Sequence, residues 1–176
     1  PQEADRLAET VPDAGGAVFV PAFTGLGAPY WDMYSRGTII GLTRGTGRAH
    51  VVRAALESIA YQTCDVLHAM EEDTGVELEN LRVDGGASAN QFLMQFQADV
   101  LGCKVIRPAV IETTALGAAL LAGLAVGVWK DMDEIRRVWQ MDLSLTPQMT
   151  EQEREKIMTL WHRAVKRSMR WAAEEE

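Results

Sequence analysis

The residues in this sequence that best fit a ligand-binding site are a pair of glycines between a predicted strand and a predicted helix. Residues 81–92 read LRVDGGASANQF, so the strand ends in Asp84, the turn is Gly85-Gly86 and the helix begins near Asn90. Glycine lacks a Cβ and tolerates positive φ, which lets a flat base or a phosphate approach the main chain. In an open α/β sheet, ligands bind beyond the carboxyl ends of the strands, where this turn lies.

The same turn has a second interpretation of equal weight. In it, the glycines only permit a tight strand-to-helix connection, and Ser88 or Asn90 only caps the following helix. Two known phosphate-binding patterns are excluded, because no Gly-Lys-Ser/Thr follows and the spacing differs from the dinucleotide fingerprint. The residues alone therefore leave both ligand binding and plain turn geometry open.

No other set of side chains forms a recognisable catalytic or metal-binding pattern. His50, His68 and His162 lie on predicted helices or at their entry, away from any nucleophile signature, and are expected to be structural. Cys64 and Cys103 form no Cys-x-x-Cys pair, which argues against a zinc site or a disulfide framework and favours two ordinary thiols. We therefore predict no catalytic residue and no metal ligand in this chain.

Strands and helices alternate along the chain and must position the glycine turn. The predicted strands are 18–21, 38–42, 81–83 and 104–108, and the predicted helices are 49–74, 90–101, 114–127 and a last one beginning at the capping box 150–153. This alternation predicts a mainly parallel α/β sheet. Residues 23–37 have no regular period and predict a long packed loop, whose Tyr30 and Trp31 are expected to cover an edge of the core.

Apolar patterns on three helices predict which surfaces are buried. On helix 49–74, spacings of three and four predict that one stripe faces a sheet, namely Val52, Leu56, Ile59, Thr63, Val66, Leu67 and Met70. The uncharged run 115–129 predicts a buried helix that is too short to span a bilayer. The predicted inner face of the last helix is Ile157, Leu160, Trp161, Ala164, Ser168 and Trp171.

Composition narrows the class of protein. The chain has 176 residues, of which 47% are hydrophobic and 24% charged, which is typical of a globular domain with a real core. Its 17 basic and 25 acidic side chains give a net charge of −8, which argues against binding to nucleic acid or an anionic membrane surface. The first residues lack the pattern of a signal peptide, and scattered thiols suit a reducing compartment, so a cytoplasmic location is expected.

Five longer motifs occur in a fixed order over nearly the whole chain. They are PAFTGLGAPYWD at 21–32, RGTIIGLTRG at 36–45, ALESIAYQT at 55–63, RVDGGASANQFLMQFQAD at 82–99 and ETTALGAALLAGLAVG at 112–127. Together they resemble the glycerol kinases. Residues 37–57 also resemble a signature of the wider FGGY family of carbohydrate kinases, with Gly41, Leu42, His50, Ala54, Leu56 and Glu57 at the expected places.

The resemblance implies an α/β domain with the actin-like ATPase, or ribonuclease H-like, fold, in which helices flank a mixed sheet that is incomplete here. It also implies a cytoplasmic enzyme that uses ATP with Mg²⁺ to phosphorylate a terminal hydroxyl of glycerol. The nucleotide would lie between two such domains, with Gly86 and Asn90 in contact with ATP or ADP and with Gly85 and Ala87 shaping the turn. It thus favours the ligand-binding interpretation of the turn.

The resemblance covers only the C-terminal part of those kinases, whose substrate-binding and catalytic residues lie upstream. Residues 1–176 would then be a portion of the C-terminal nucleotide-binding domain, with a helix at 150–173 packing on it, and glycerol would be bound by the missing N-terminal part. Phosphoryl transfer needs groups from both sides of the cleft, so the chain alone is expected to be inactive.

Two alternatives stay open: the same domain of another polyol or sugar kinase, and a non-catalytic oligomerisation or regulatory module. An incomplete sheet with uncovered helices also predicts self-association, and hence a homo-oligomer.

Overall fold

The computed structural model of the chain describes residues 2–138 and 140–173, so both ends of the predicted 1–176 unit lie outside it. The helices are α1 (Gln2–Ala8), α2 (Arg48–Thr74), α3 (Gln91–Leu101), α4 (Thr113–Ala125), α5 (Met132–Val138) and α6 (Glu151–Ser168). The strands are β1 (Val18–Val20), β2 (Thr38–Ile40), β3 (Asn80–Arg82), β4 (Lys104–Pro108) and β5 (Met141–Leu145). A 3₁₀ turn, Gly86–Ala89, precedes α3.

The strands form two small sheets rather than a mainly parallel one. β3 and β4 pair in parallel, with Leu81 opposite Val105, and β5 then pairs antiparallel with β4. β1 and β2 form a separate antiparallel pair. The prediction of a mainly parallel sheet was therefore wrong. It did not include β5, whose pairing with β4 is antiparallel, because neither α5 nor β5 was expected between the predicted helix 114–127 and the capping box at 150–153. The mixed sheet with flanking helices is confirmed.

Helix ends follow local chemistry and match the predicted positions closely. α2 ends at Gly75, whose φ of 67° closes the helix in the left-handed conformation. α6 begins at Thr150, whose hydroxyl accepts from the amide of Glu153 while the Glu153 carboxylate accepts from the amide of Thr150.

The buried face of α2 is not the predicted apolar stripe. None of the seven stripe residues is buried, and Ile59 and Met70 are 44% and 56% exposed. The buried face carries small and polar residues instead: Ala54, Glu57, Ser58, Ala60, Tyr61, Cys64 and Asp65. Small side chains let α1, α3 and β1 approach α2 closely, and the two carboxylates are buried because other side chains pair with them.

Two further burial predictions were wrong. α4 has no buried residue, and its Leu121 is 60% exposed. The helix is apolar on all sides, so the spacing of its apolar residues could not show which face is buried or whether one is buried at all. Trp171 is 73% exposed, because α6 ends at Ser168 and Arg170 turns the chain with a φ of 55°.

The main core lies where α6 crosses α2, α3 and β1. Trp161 is fully buried and stacks on Tyr61 at 5.3 Å, and Tyr61 meets the edge of Phe96 at 5.4 Å. The Asp65 carboxylate accepts from Trp161 Nε1 and from the Tyr30 hydroxyl, both at 2.6 Å. Burial, assisted by this hydrogen bond, raises the pKa of Tyr30, so the phenol keeps its proton and remains a donor.

The loop 23–37 is ordered by polar anchors rather than by regular structure. Ser35, fully buried, donates to the Ser168 carbonyl at 3.0 Å, and Asp32 accepts from the Arg170 amide at 2.7 Å. Tyr30 packs on the core as predicted, whereas Trp31 is 79% exposed and does not cover it. Within residues 2–138 and 140–173, no helix combines the length and apolar character needed to cross a membrane.

Candidate functional site

The predicted glycine turn follows β3 and leads through the 3₁₀ turn into α3. Gly85 has a φ of 75° and a ψ of 175°, a conformation that side chains rarely adopt, so glycine is required there by the backbone itself. Its amide donates to the Ile111 carbonyl at 2.7 Å, and its carbonyl accepts from the buried Ser88 hydroxyl at 2.7 Å. The turn is thus held rigidly from both sides.

Gly86 is required by neither backbone conformation nor packing. Its φ lies outside the left-handed region, and a Cβ added there would meet no protein atom within 4 Å. The space above Gly86 is therefore open in this chain. Ala87, the next residue, borders the same space.

Asn90 is a helix cap, as the structural interpretation of the turn required. Its side-chain oxygen accepts from the Leu93 amide at 2.7 Å, and its amide nitrogen donates to the Asp5 carboxylate of α1. Only 9% of Asn90 is exposed. Capping does not exclude ligand contact, because Asn90 also lines the cavity described next.

A cavity of about 310 Å³ lies between the glycine turn, α1 and α2. Its walls are mostly apolar, and the large side chains are Leu56 and Ile59 of α2 and Leu93 of α3. Asp5 and Asn90 supply the charged and amide groups. An apolar cavity with a few polar groups and bare backbone is the usual form of a site for a flat organic group.

Sequence reasoning missed Asp5, Leu56 and Ile59 as members of this cavity. Leu56 and Ile59 belong to the stripe that was expected to face a sheet, so their apolar character was noticed but assigned to the wrong neighbour. Asp5 lies 85 residues before Asn90, and no local sequence pattern predicts a contact over that separation.

The remaining candidate groups take part in structural contacts. Asp84 accepts from the Thr113 hydroxyl, which joins the end of β3 to the start of α4. His50 accepts from the Gly47 amide at 3.1 Å, and His162 Nε2 lies 2.7 Å from Asp65. Burial raises the pKa of the Cys64 thiol to about 12, so it stays protonated and is a poor nucleophile at neutral pH.

Metal-binding side chains do not cluster in the described part of the chain. Across residues 2–138 and 140–173, no three His, Cys, Asp or Glu side chains come together in an arrangement that could hold an ion.

Comparison with proteins of known sequence gives a consistent family. The chain is 63% identical over 169 residues to "Glycerol kinase 2" of Thermotoga maritima and 60% identical over 172 residues to "Glycerol kinase" of Symbiobacterium thermophilum. These alignments cover 96% and 98% of this chain. The chain spans only about a third of the length of either relative, 34% in both cases.

Solved structures agree in fold. The crystal structure of Plasmodium falciparum glycerol kinase with ADP matches with a TM-score of 0.87 at 39% identity, covering 96% of this chain and 34% of that one. Gluconate kinase from Lactobacillus acidophilus matches with a TM-score of 0.76 at 26% identity, covering 93% and 34%. These kinases have the actin-like ATPase fold, which confirms the predicted fold class.

The family model described as "FGGY family of carbohydrate kinases, C-terminal domain" matches residues 1–126, well over half of the chain. This match agrees with the sequence relatives and with the structural neighbours. The chain therefore belongs to the FGGY family of carbohydrate kinases and corresponds to its C-terminal domain.

Proposed function

We propose that this chain is the nucleotide-binding C-terminal part of a glycerol kinase, which transfers the γ-phosphoryl group of ATP to glycerol and yields sn-glycerol 3-phosphate. The observation that carries the proposal is Gly86, a glycine that neither its φ nor its neighbours require. A ligand that must approach the main chain supplies the missing reason for glycine at this position. The relatives at about 60% identity, named as glycerol kinases, support the choice of reaction.

In this proposal the cavity beside Gly86 receives the adenosine part of ATP or ADP. Leu56 and Ile59 offer apolar contact to the flat base, and the rigid turn at Gly85 holds the backbone at close range. Asn90 is fixed in orientation by its cap to Leu93, so its amide presents a constant polar group to the ligand. Ala87, with its small side chain, keeps the edge of the turn open.

The chain contributes binding and positioning rather than the chemical step. Glycerol and the general base would belong to the N-terminal part of the relatives, of which this chain covers a third. ATP brings its own Mg²⁺, which keeps several waters and binds mainly through phosphates and one or two carboxylates.

Two alternatives have less support. A gluconate or xylulose kinase shares the fold, but those neighbours are only 26% and 27% identical, against about 60% for the glycerol kinases. A purely regulatory or oligomerising module would not need an open glycine beside an apolar cavity. We also propose that residues 150–173, whose helical part is α6, pack on the nucleotide-binding domain as its C-terminal element and that the enzyme is cytoplasmic.

Replacement of Gly86 with Val tests the nucleotide site. The branched side chain fills open space, so the fold should be kept, while ADP affinity of the chain should fall tenfold or more, or about 1.4 kcal/mol. Gly27→Val is a matched control, because Gly27 also has open space at its Cβ and no left-handed φ. The affinities are measured by ligand-observed NMR with ADP. Equal ADP affinity in the two variants would mean that Gly86 does not contact the nucleotide and serves only the geometry of the turn.

We further propose that the isolated chain self-associates through its uncovered α4. No residue of α4 is buried, Leu121 of this helix is 60% exposed, and Val126, which follows its last residue, is 78% exposed. Exposed apolar patches of this kind favour association of identical chains. Sedimentation velocity over a hundredfold concentration range should show an increasing average mass. A monomer at all concentrations would contradict this expectation.

A further inference from the structure

Asp5 is a half-buried carboxylate on the wall of an otherwise apolar cavity. Within residues 2–138 and 140–173 it forms no ion pair, and its side chain has one hydrogen bond, accepted from the Asn90 amide nitrogen. A carboxylate without a cationic partner beside apolar walls is destabilising unless a donor reaches it. Since a carboxylate has about four acceptor positions and Asn90 uses one of them, Asp5 can accept a further hydrogen bond from a ligand in this cavity.

Asn90 holds Asp5 in a defined position beside a donor. The Asn90 oxygen is engaged by the Leu93 amide, so its NH₂ group must be the part that faces Asp5. One N–H of that group bonds to Asp5, and among residues 2–138 and 140–173 the second N–H has no partner, so it can face a ligand. The two side chains together offer an acceptor next to a donor, both lining the same cavity.

This pairing of acceptor and donor matches one purine and opposes the other. Adenine presents a donor, its exocyclic N6 amine, next to the acceptor N7, whereas guanine presents two acceptors, O6 and N7, along the same edge. A carboxylate can accept from the adenine amine while Asn90 donates to the ring nitrogen. With guanine, the O6 carbonyl would face the Asp5 carboxylate, and both acceptors would lose their water without gaining a donor.

Resting on the nucleotide-binding role proposed above, we infer that Asp5 selects adenine over guanine nucleotides by accepting a hydrogen bond from the exocyclic amine of the base. Asp5 is then a specificity-determining residue on α1, positioned by the Asn90 cap of α3. Good paired hydrogen bonds to a base edge discriminate between bases by about fivefold to a hundredfold.

Dissociation constants of ADP and GDP for the chain and its variants test the inference, measured by ligand-observed NMR. The wild-type chain should bind ADP at least tenfold more tightly than GDP, since a 1.4 kcal/mol preference is a factor of ten. Asp5→Asn keeps the size and the contact to Asn90 but adds a donor that can face guanine O6. We expect the ADP preference to fall to about threefold or less, with GDP binding improved.

Two further variants test whether the change in nucleotide preference is specific to the Asp5 carboxylate. Asp5→Ala removes the acceptor and should weaken ADP binding while improving GDP binding, because the carboxylate that faces guanine O6 is gone. Glu3→Gln alters an exposed carboxylate on the same helix, whose partner Arg48 is equally exposed, and should keep the wild-type preference. Thermal unfolding of each variant, followed by circular dichroism, shows that α1 remains docked.

The outcomes separate this inference from the proposed function. Equal binding of ADP and GDP by the wild-type chain, or an unchanged preference in Asp5→Asn, overturns the role of Asp5 and leaves the glycine site intact. Absence of binding of either nucleotide to the wild-type chain overturns both. A preference that falls in Asp5→Asn but not in Glu3→Gln supports the inference, and it does so independently of any glycerol phosphorylation.

Discussion

The isolated 176-residue chain will show no glycerol phosphorylation, whatever the concentration of ATP. The described residues provide an apolar cavity beside a glycine turn, and the chain spans only about a third of the length of the glycerol kinases it is similar to. Positioning and electrostatic stabilisation from both sides of a cleft account for most of phosphoryl-transfer catalysis. A chain that holds only one side of the active site is therefore expected to retain essentially none of the rate of phosphoryl transfer.

Coupled detection of ADP release, with and without glycerol, measures this directly. The background ATP hydrolysis of the Gly86→Val variant is the matched blank, because it differs only at the proposed nucleotide contact. Glycerol-dependent turnover by the wild-type chain above that blank would show that the residues described here already contain a complete active site.

Replacement of Asp65 with Ala will cause the largest loss of stability among single substitutions of polar residues. The Asp65 carboxylate, 6% exposed, accepts from Trp161 and Tyr30, and His162 lies 2.7 Å away. These contacts join α2, α6 and the loop 23–37. Removing the carboxylate takes the partner from the buried Trp161 Nε1 and from the half-buried Tyr30 hydroxyl, and a buried donor left without a partner costs about 1–3 kcal/mol. We expect unfolding to become easier by about 3 kcal/mol.

Urea unfolding followed by tryptophan fluorescence measures this loss. Asp73→Ala is the control, because Asp73 lies on the same helix and is exposed, so its effect should stay within about 0.5 kcal/mol. A loss below about 1 kcal/mol for Asp65→Ala would mean that water replaces the carboxylate and that Asp65 does not join the three elements.

Local chemistry made several features of this fold predictable. Gly75 and the Thr150–Glu153 capping box fixed helix ends, because each acts through hydrogen bonds within a few residues. The strand β4 was found at the predicted residues because a short apolar run between turn signals has few other solutions. The glycine turn was also located correctly between β3 and α3.

Features that depend on distant partners could not be predicted. The face of α2 was misassigned because burial of Glu57 and Asp65 is acceptable only once Arg53, Trp161 and Tyr30 are in place. The apolar Leu56 and Ile59 were predicted to face a sheet, yet they line a cavity. Asp5 was not recognised, because its contact to Asn90 joins residues 85 positions apart in the sequence.

The central claim is that this chain forms the nucleotide side of a glycerol kinase, and a fusion protein tests it most directly. In the fusion, these 176 residues replace the corresponding C-terminal third of the Thermotoga maritima relative. The account predicts ATP-dependent phosphorylation of glycerol, no comparable turnover of gluconate or xylulose, and a KM for ATP at least tenfold higher after Gly86→Val. A fusion that folds but phosphorylates no glycerol, or whose KM for ATP is unchanged by Gly86→Val, would contradict it.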